Sequence, residues 1–244
     1  MVWWILRGLR KGVVTTRYPK RPEAVTAGFR GRIAVRQGHG LPSYGELCPT
    51  GAISVAADGR IELDHRRCVL CGACVAAAPE VFSFEETYET AVRRDGAPPS
   101  LADQARALKR SVHIRHVDAG SDGAEEWEIA ALTNPYYDMQ RLGLFFTLAP
   151  RHADILLVTG AVTASMVEPL RRAYDAMPFP KAVVAVGTDA CSGGFAARGH
   201  EAELRGVDAV LPVDVYVPGS PPPPIGILHG LLLAAGIVTR EAAA

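Results

Sequence analysis

Three closely spaced cysteines limit this chain more than any other feature. Cys68, Cys71 and Cys74 form C-x2-C-x2-C in "CVLCGAC", and Cys48 stands directly before Pro49 in "CPTGAI". Soft thiolates on short loops select iron–sulfur chemistry or tetrahedral zinc. The triplet with a distant Cys-Pro favours iron, and zinc is the alternative. A disulfide framework is disfavoured because nothing in the sequence suggests secretion. The fifth cysteine, Cys191, reads as a small buried thiol.

The pattern is half of a longer one. Two-cluster ferredoxins repeat C-x2-C-x2-C-x3-C-P, and each Cys-Pro cysteine serves the other cluster. Cys48 with Cys68, Cys71 and Cys74 is therefore one complete ligand set for a 4Fe–4S cluster. The other set would need cysteines at 38, 41, 44 and 78, where Gly38, Leu41, Tyr44 and Ala78 stand. All four positions are emptied together, as expected for deletion of a whole cluster.

Beyond "ARALKRSV" at 105–112 the composition changes. Apolar strand-like runs such as "ADILLVTG" and "KAVVAVG" alternate with helical stretches such as "SMVEPLRRAYDAM" and "IGILHGLLLAAG". That alternation predicts a mostly parallel sheet covered on both faces. The prolines at 221–224 read as a rigid approach to the last helix. "RRDGAPPSLADQ" reads as a loop or linker. In "GSDGAEEWEI", Asp122 and Glu125 have capping-box spacing at the start of a helix.

Formal net charge is zero, so nothing supports a nucleic-acid partner. Basic residues nevertheless crowd the start: residues 1–36 hold nine Lys and Arg against one acid, Glu23. "MVWWILRGLRKGVV" is a poor signal peptide, because its apolar part precedes its charges. Val2, Ile5, Leu6, Leu9 and Val13 share a helical face beside Trp3 and Trp4, which suits an interfacial or docked helix, with a plain core helix as the alternative. No apolar run is long enough to cross a bilayer. "GTDACSGG" lacks the G-x-G-x-x-G fingerprint of a dinucleotide site.

Two resemblances follow. Residues 1 to about 95, with "GVVTTRYP", "CPTGAI" and "CVLCGAC", resemble the two-cluster ferredoxin subunit of respiratory complex I and of membrane-bound hydrogenases. Residues from about 111 to 238 resemble the small electron-transfer subunit of the same machines, through "HVDAGSDGAEEWEIAALTNPYYDMQRLG", "PRHADILLVTGAVT", "MPFPKAVVAVGTDACSGG" and "LPVDVYVPGSPPPP". The arrangement looks like a fused ferredoxin and small subunit of the hydrogenase-4 or formate-hydrogenlyase type.

The resemblance implies an α+β ferredoxin-like domain followed by an α/β flavodoxin-like domain with a mostly parallel sheet. The expected segments are a basic amphipathic docking segment at 1–30, a ferredoxin-like 4Fe–4S domain at 31–95, a linker at 96–110 and the α/β domain at 111–244. In that family the small subunit holds a 4Fe–4S cluster beside the nickel–iron or quinone site. The corresponding positions here are Asp122, Glu125, Asp189 and Ser220, so no sulfur remains. Carboxylates and a hydroxyl are poor substitutes for thiolates. The expectation is one cluster on Cys48, Cys68, Cys71 and Cys74, and none in the second domain.

Three acids brought together repel, so at least one should be protonated or paired. Arg151, His152 and Arg198 are conceivable partners. The vacated cluster site then reads as a polar plug, a hard-metal site or a proton relay. Glu126 and Glu128 read as helix-surface acids, although in the family the position of Glu128 is associated with the large-subunit interface. The implied role is a peripheral subunit on the cytoplasmic face of the cell membrane, bound to a hydrogenase-like or complex I-like large subunit and membrane-arm subunits. With two of three clusters gone, that role is mainly architectural or proton-coupling. Two alternatives are an electron-transfer subunit using the remaining cluster with another partner, and a free-standing ferredoxin-like protein.

Overall fold

The computed structural model describes residues 3–36, 42–104, 111–195, 197 and 205–239. The first helix, α1 (Trp3–Lys11), has no buried residue. Next come two small antiparallel ribbons. One pairs β1 (Arg32–Val35) with β4 (Phe82–Glu85), and the other pairs β2 (Ile53–Val55) with β3 (Ile61–Leu63). A short helix, α2 (Ala73–Ala77), follows the cysteine loop. Ile33, Ile53, Ala78, Val81 and Phe82 form a separate small core here. Tyr44 packs edge-on against Phe82 at 5.7 Å, and Ala78 is 2% exposed. Two of the four emptied cysteine positions are thus filled by core packing. Gly38 and Leu41 lie outside the described residues.

The larger unit is built on two runs, Ile155–Thr159 and Ala182–Val186, that are buried at every position. Strands buried on both faces belong in the middle of a parallel sheet. The sheet contains β5 (Val92–Arg93), β6 (Val112–Asp118), β7 (Leu144–Phe146), β8 (Ile155–Thr159), β9 (Ala182–Val186) and β10 (Val215–Val217), in the order β5-β10-β9-β8-β6-β7. Strands β6 to β10 are parallel, and β5 joins the edge of β10 antiparallel. Counting the parallel strands alone, the order is the flavodoxin-like 2-1-3-4-5, whose ligand crevice lies where the order reverses. Here that point is between the ends of β6 and β8.

Successive side chains of a strand face opposite sides, and the core divides accordingly. Ile155, Leu157, Val184 and Val186 face one apolar cluster, while Leu156, Val158, Val183 and Ala185 face the other. The first cluster is capped by α7 (Pro224–Ala235), a helix buried along all 12 of its residues. A helix apolar on every side apart from His229, which is itself buried, has no solvent face to offer and has to be enclosed. Pro223 and Pro224 start it, as the proline run predicts, and Gly236 ends it at φ 74°. The second cluster is closed by α5 (Val167–Asp175) and α6 (Thr188–Ser192). Within the stretch expected to be a linker, α3 (Leu101–Gln104) sends Leu101 into the first cluster.

The small unit is tied to the large one at several points. Thr16 N–H donates to Tyr136 O at 2.8 Å, and Arg141 Nη2 donates to Tyr18 O at 2.7 Å. Thr188 Oγ1, at the start of α6, donates to the carbonyl of Cys68 at 3.0 Å and also lies 3.1 Å from Gly219 O. Among the described residues, no helix is long and apolar enough to cross a membrane.

Candidate functional site

Cys48, Cys68, Cys71 and Cys74 line one small cavity, walled by Ile33, Ala52, Ile53 and Leu63. The sequence positions them by three local devices. Asp64 caps a 3-10 turn over His65–Arg67, accepting from Arg66 N–H at 3.0 Å, and Cys68 follows as its C-cap. The loop then takes two left-handed residues, Leu70 at φ 54° and Gly72 at φ 81°. A leucine in that region is strained by about 1–3 kcal/mol, and such strain concentrates at functional sites. Gly72 is the N-cap of α2, which carries Cys74 in its first turn. Cys48, between the turn Pro42–Leu47 and β2, completes the lining.

The donors suit a thiolate site. Cys48 Sγ accepts from Ala52 N–H at 3.2 Å and lies 3.4 Å from Thr50 Oγ1. Burial alone would raise its pKa, but these hydrogen bonds outweigh it and hold the thiol below its ordinary value. Cys68 is pushed up to about 11, first by burial and then by the negative charge of the other three cysteines. Burial also raises Cys74. Thiolates in this arrangement repel until positive charge is placed among them. Among the described residues, no three His, Cys, Asp or Glu converge on a single metal ion. A cubane takes one thiolate at each iron, so its ligands surround the group instead of converging on one point. Four sulfurs around one cavity fit that demand.

Asp122, Glu125 and Asp189 come together at the reversal point of the sheet order. Helix α4 (Ala124–Ala131) does not begin with the expected capping box. Gly123, at φ 90°, is the N-cap, and Asp122 Oδ1 accepts instead from Ala124 N–H at 2.9 Å. The left-handed glycine starts the helix one residue later, which moves Glu125 out of reach of a capping partner. Its side chain turns inward and is 4% exposed. A Cβ on Gly187 (φ 90°) would lie 2.4 Å from Glu125 Oε1, and one on Gly194 (φ 55°) would lie 1.6 Å from Asp189 Oδ1. Glycine at both positions leaves space for the carboxylates.

Burial, then the charges of Asp189, Asp122 and Glu126, pushes Glu125 up to about 7. Asp189 is raised by burial and by Asp122. Among the described residues, no ion pair joins Arg151 or His152 to these acids, and Arg198 lies outside those residues. Ser220 is exposed, and no hydrogen bond links it to the acids among the described residues. It follows Gly219, whose carbonyl accepts from Thr188 N–H at 2.7 Å.

Sequence reasoning missed three features. Thr188 joins the cysteine loop to α6, which no local pattern announces. Glu126 is not a plain surface acid: it accepts from Ser121 Oγ at 2.7 Å and from Thr159 Oγ1, and His116 Nε2 lies 3.6 Å from it. A cleft walled by arginines opens on the outer side of Cys68. Cys191 is buried at 1% exposure, as its composition suggested.

Residues 123–234 match the family described as NADH ubiquinone oxidoreductase, 20 Kd subunit. Residues 63–109 match the 4Fe-4S single cluster domain of Ferredoxin I, a span with Cys68, Cys71 and Cys74 but not Cys48. An uncharacterized protein of Methanocaldococcus jannaschii is 44% identical over 135 residues, which is 54% of this chain and 90% of that protein. A probable membrane-bound hydrogenase subunit, mbhJ of Pyrococcus furiosus, is 42% identical over 135 residues, 55% of this chain and 80% of its own length. Formate hydrogenlyase subunit 7 of Escherichia coli is 39% identical over 142 residues, covering 57% of this chain. The match spans 54% of that last relative, about half its length.

Proposed function

The chain belongs to the family of the NADH ubiquinone oxidoreductase 20 kDa subunit, and from that premise we propose that it is a peripheral subunit of a membrane-bound complex related to complex I and the group 4 hydrogenases. In this reading residues 31–95 are a ferredoxin-like domain, 96–110 a linker and 111–244 the α/β domain that meets a hydrogenase-like large subunit. Cys48, Cys68, Cys71 and Cys74 hold one 4Fe–4S cluster. Such a cluster supplies one-electron transfer when bound. The second domain holds none, because Asp122, Glu125, Asp189 and Ser220 offer only oxygen. The role is then mainly architectural or proton-coupling.

One observation carries this reading. Four thiols surround a single cavity, while the ligand positions implied for the second domain hold a buried, raised carboxyl among other acids. The test is affinity isolation of the tagged full chain from host membranes, with the cluster followed by electron paramagnetic resonance during turnover. Co-isolation of a large subunit with a cluster signal that stays constant supports the architectural role. A cluster reduced and reoxidised with turnover supports electron transfer to another partner instead. Isolation as a lone soluble chain defeats both.

Helix α1 is the proposed membrane contact on the cytoplasmic face. Trp3, Trp4 and Leu9 are each more than 70% exposed, and Arg7, Arg10 and Lys11 lie among them. Basic residues near an anionic surface contribute about 1 kcal/mol each. The full chain should sediment with vesicles rich in anionic phospholipid and far less with neutral ones. The triple variant Trp3→Ser, Trp4→Ser, Leu9→Ser should weaken that binding by at least about tenfold. Unchanged sedimentation would remove α1 from the membrane contact.

A further inference from the structure

The turn that delivers Cys48 to the cavity also delivers a hydroxyl. Gly51 N–H donates to Cys48 O at 3.1 Å and closes a turn over Cys48, Pro49, Thr50 and Gly51. Proline second and glycine last suit such a turn, and Gly51 takes φ 67°. Thr50, the third residue, is thereby folded back toward the cysteine. It is 3% exposed and lines the same cavity as the four thiols. Its Oγ1 lies 3.4 Å from Cys48 Sγ and has no other hydrogen-bond partner among the described residues. A buried hydroxyl keeps the partner it has.

Between a free thiol and a hydroxyl, either atom can donate. Ligation removes that choice. A cysteine that binds metal is a thiolate without a proton, so Thr50 is then the donor and the sulfur the acceptor. The other donors to these sulfurs are backbone groups. Ala52 N–H reaches Cys48 at 3.2 Å, and main-chain groups at Leu70 and Val75 favour the thiolates of Cys68 and Cys74. Those donors come with the fold, whatever side chain stands there. Among the described residues, Thr50 supplies the one side-chain donor to these three sulfurs.

On the reading that the four cysteines hold one 4Fe–4S cluster, we propose that Thr50 raises the reduction potential of that cluster by donating to Cys48 Sγ. Thr50 is not a ligand and acts through Cys48. One electron from an external one-electron carrier makes the cluster more negative by one charge. No bond is made or broken, and Thr50 keeps its proton. The ligand sulfurs share the added charge, so a donor aimed at one of them gains strength on reduction.

The test is an anaerobic redox titration of the intact full chain, followed by electron paramagnetic resonance, with iron and sulfide counted in every sample. Thr50→Val removes the hydroxyl. It should disfavour reduction by about threefold to tenfold, a midpoint lower by about 30–60 mV for one electron. Thr50→Ala, which removes the hydroxyl with a smaller side chain, should move the midpoint in the same direction. Thr50→Ser keeps the donor and should stay near the wild-type midpoint. Iron should remain at about four per chain in all three. Midpoints equal to wild type in the Val and Ala variants at full iron overturn the proposal and leave the cluster reading standing. Iron lost from both of these variants makes the hydroxyl a requirement for assembly, and also overturns it. A wild-type cluster that dithionite leaves without a signal does the same. Wild-type protein isolated without iron overturns the cluster reading, and the role of Thr50 with it.

Discussion

Protein isolated anaerobically with its metal intact is expected to carry about four irons and about four acid-labile sulfides per chain. Replacing Cys48, Cys68, Cys71 or Cys74 by Ser, one at a time, should remove most of both. Each of the four lines the same cavity, whose other described lining residues offer no soft ligand. Ser cannot supply a soft ligand, and the three remaining thiolates do not close the set. Cys191→Ser should leave the iron unchanged, because that thiol is buried in the large unit with its Sγ directed at Ala185 O. Loss of iron should also loosen the small unit. Its core contains few large apolar side chains, Ile33, Ile53, Ile61, Val81 and Phe82 among them. A core of that size depends on a bound group for much of its stability. Limited proteolysis should therefore cut the small unit first in the Ser variants. About eight irons per chain, or iron that survives in the Cys68→Ser and Cys74→Ser variants, would refute the single-cluster assignment.

The second large effect concerns Glu125. Its carboxyl is raised from 4.5 to about 7 in the folded chain. The folded state therefore binds the proton more tightly than the unfolded state. Stability is fullest below pH ~4.5, falls as pH rises toward ~7, and stays reduced above that. At 1.36 kcal/mol per unit, the penalty fully developed above the raised value is about 3 kcal/mol. Asp122 and Glu126 beside it on the chain, and Asp189 across from it on α6, act in the same direction by opposing its charge. Urea unfolding between pH 5.5 and 8 should show wild-type stability dropping by about 2 kcal/mol over that interval. Glu125→Gln should flatten the drop and be the more stable chain at pH 8. A wild-type profile without slope, or an unchanged slope in the variant, would mean that Glu125 is ionised at little cost.

The sheet was largely legible from the sequence. Runs such as "ILLVT" and "AVVAV" allow almost nothing but buried parallel strands, and "IGILHGLLLAAG" allows little but an enclosed helix. The four thiols were legible because their spacing has few chemical uses. The acid cluster was reached only through family resemblance. In the sequence alone, Asp122 and Glu125 read as a cap, and the decisive residue was Gly123, whose left-handed backbone re-aims Glu125. The cleft beside the cysteine loop was not legible, since Arg66 and Arg94 are brought to one side of Tyr216 by the antiparallel pairing of β5 with β10. Glu126 was misread for a similar reason: its partner Thr159 is the last residue of β8, 33 positions away.

The hydroxyl of Thr188 stands within reach of the carbonyls of both Cys68 and Gly219. A lever has its pivot where two arms share one pin, and this contact is such a pin. Any tilt imposed on the crest of the sheet by a neighbouring subunit would be passed to the thiol loop instead of being absorbed by slack between the halves. The gap between that loop and whatever faces the crest is thus set by masonry within this one polypeptide.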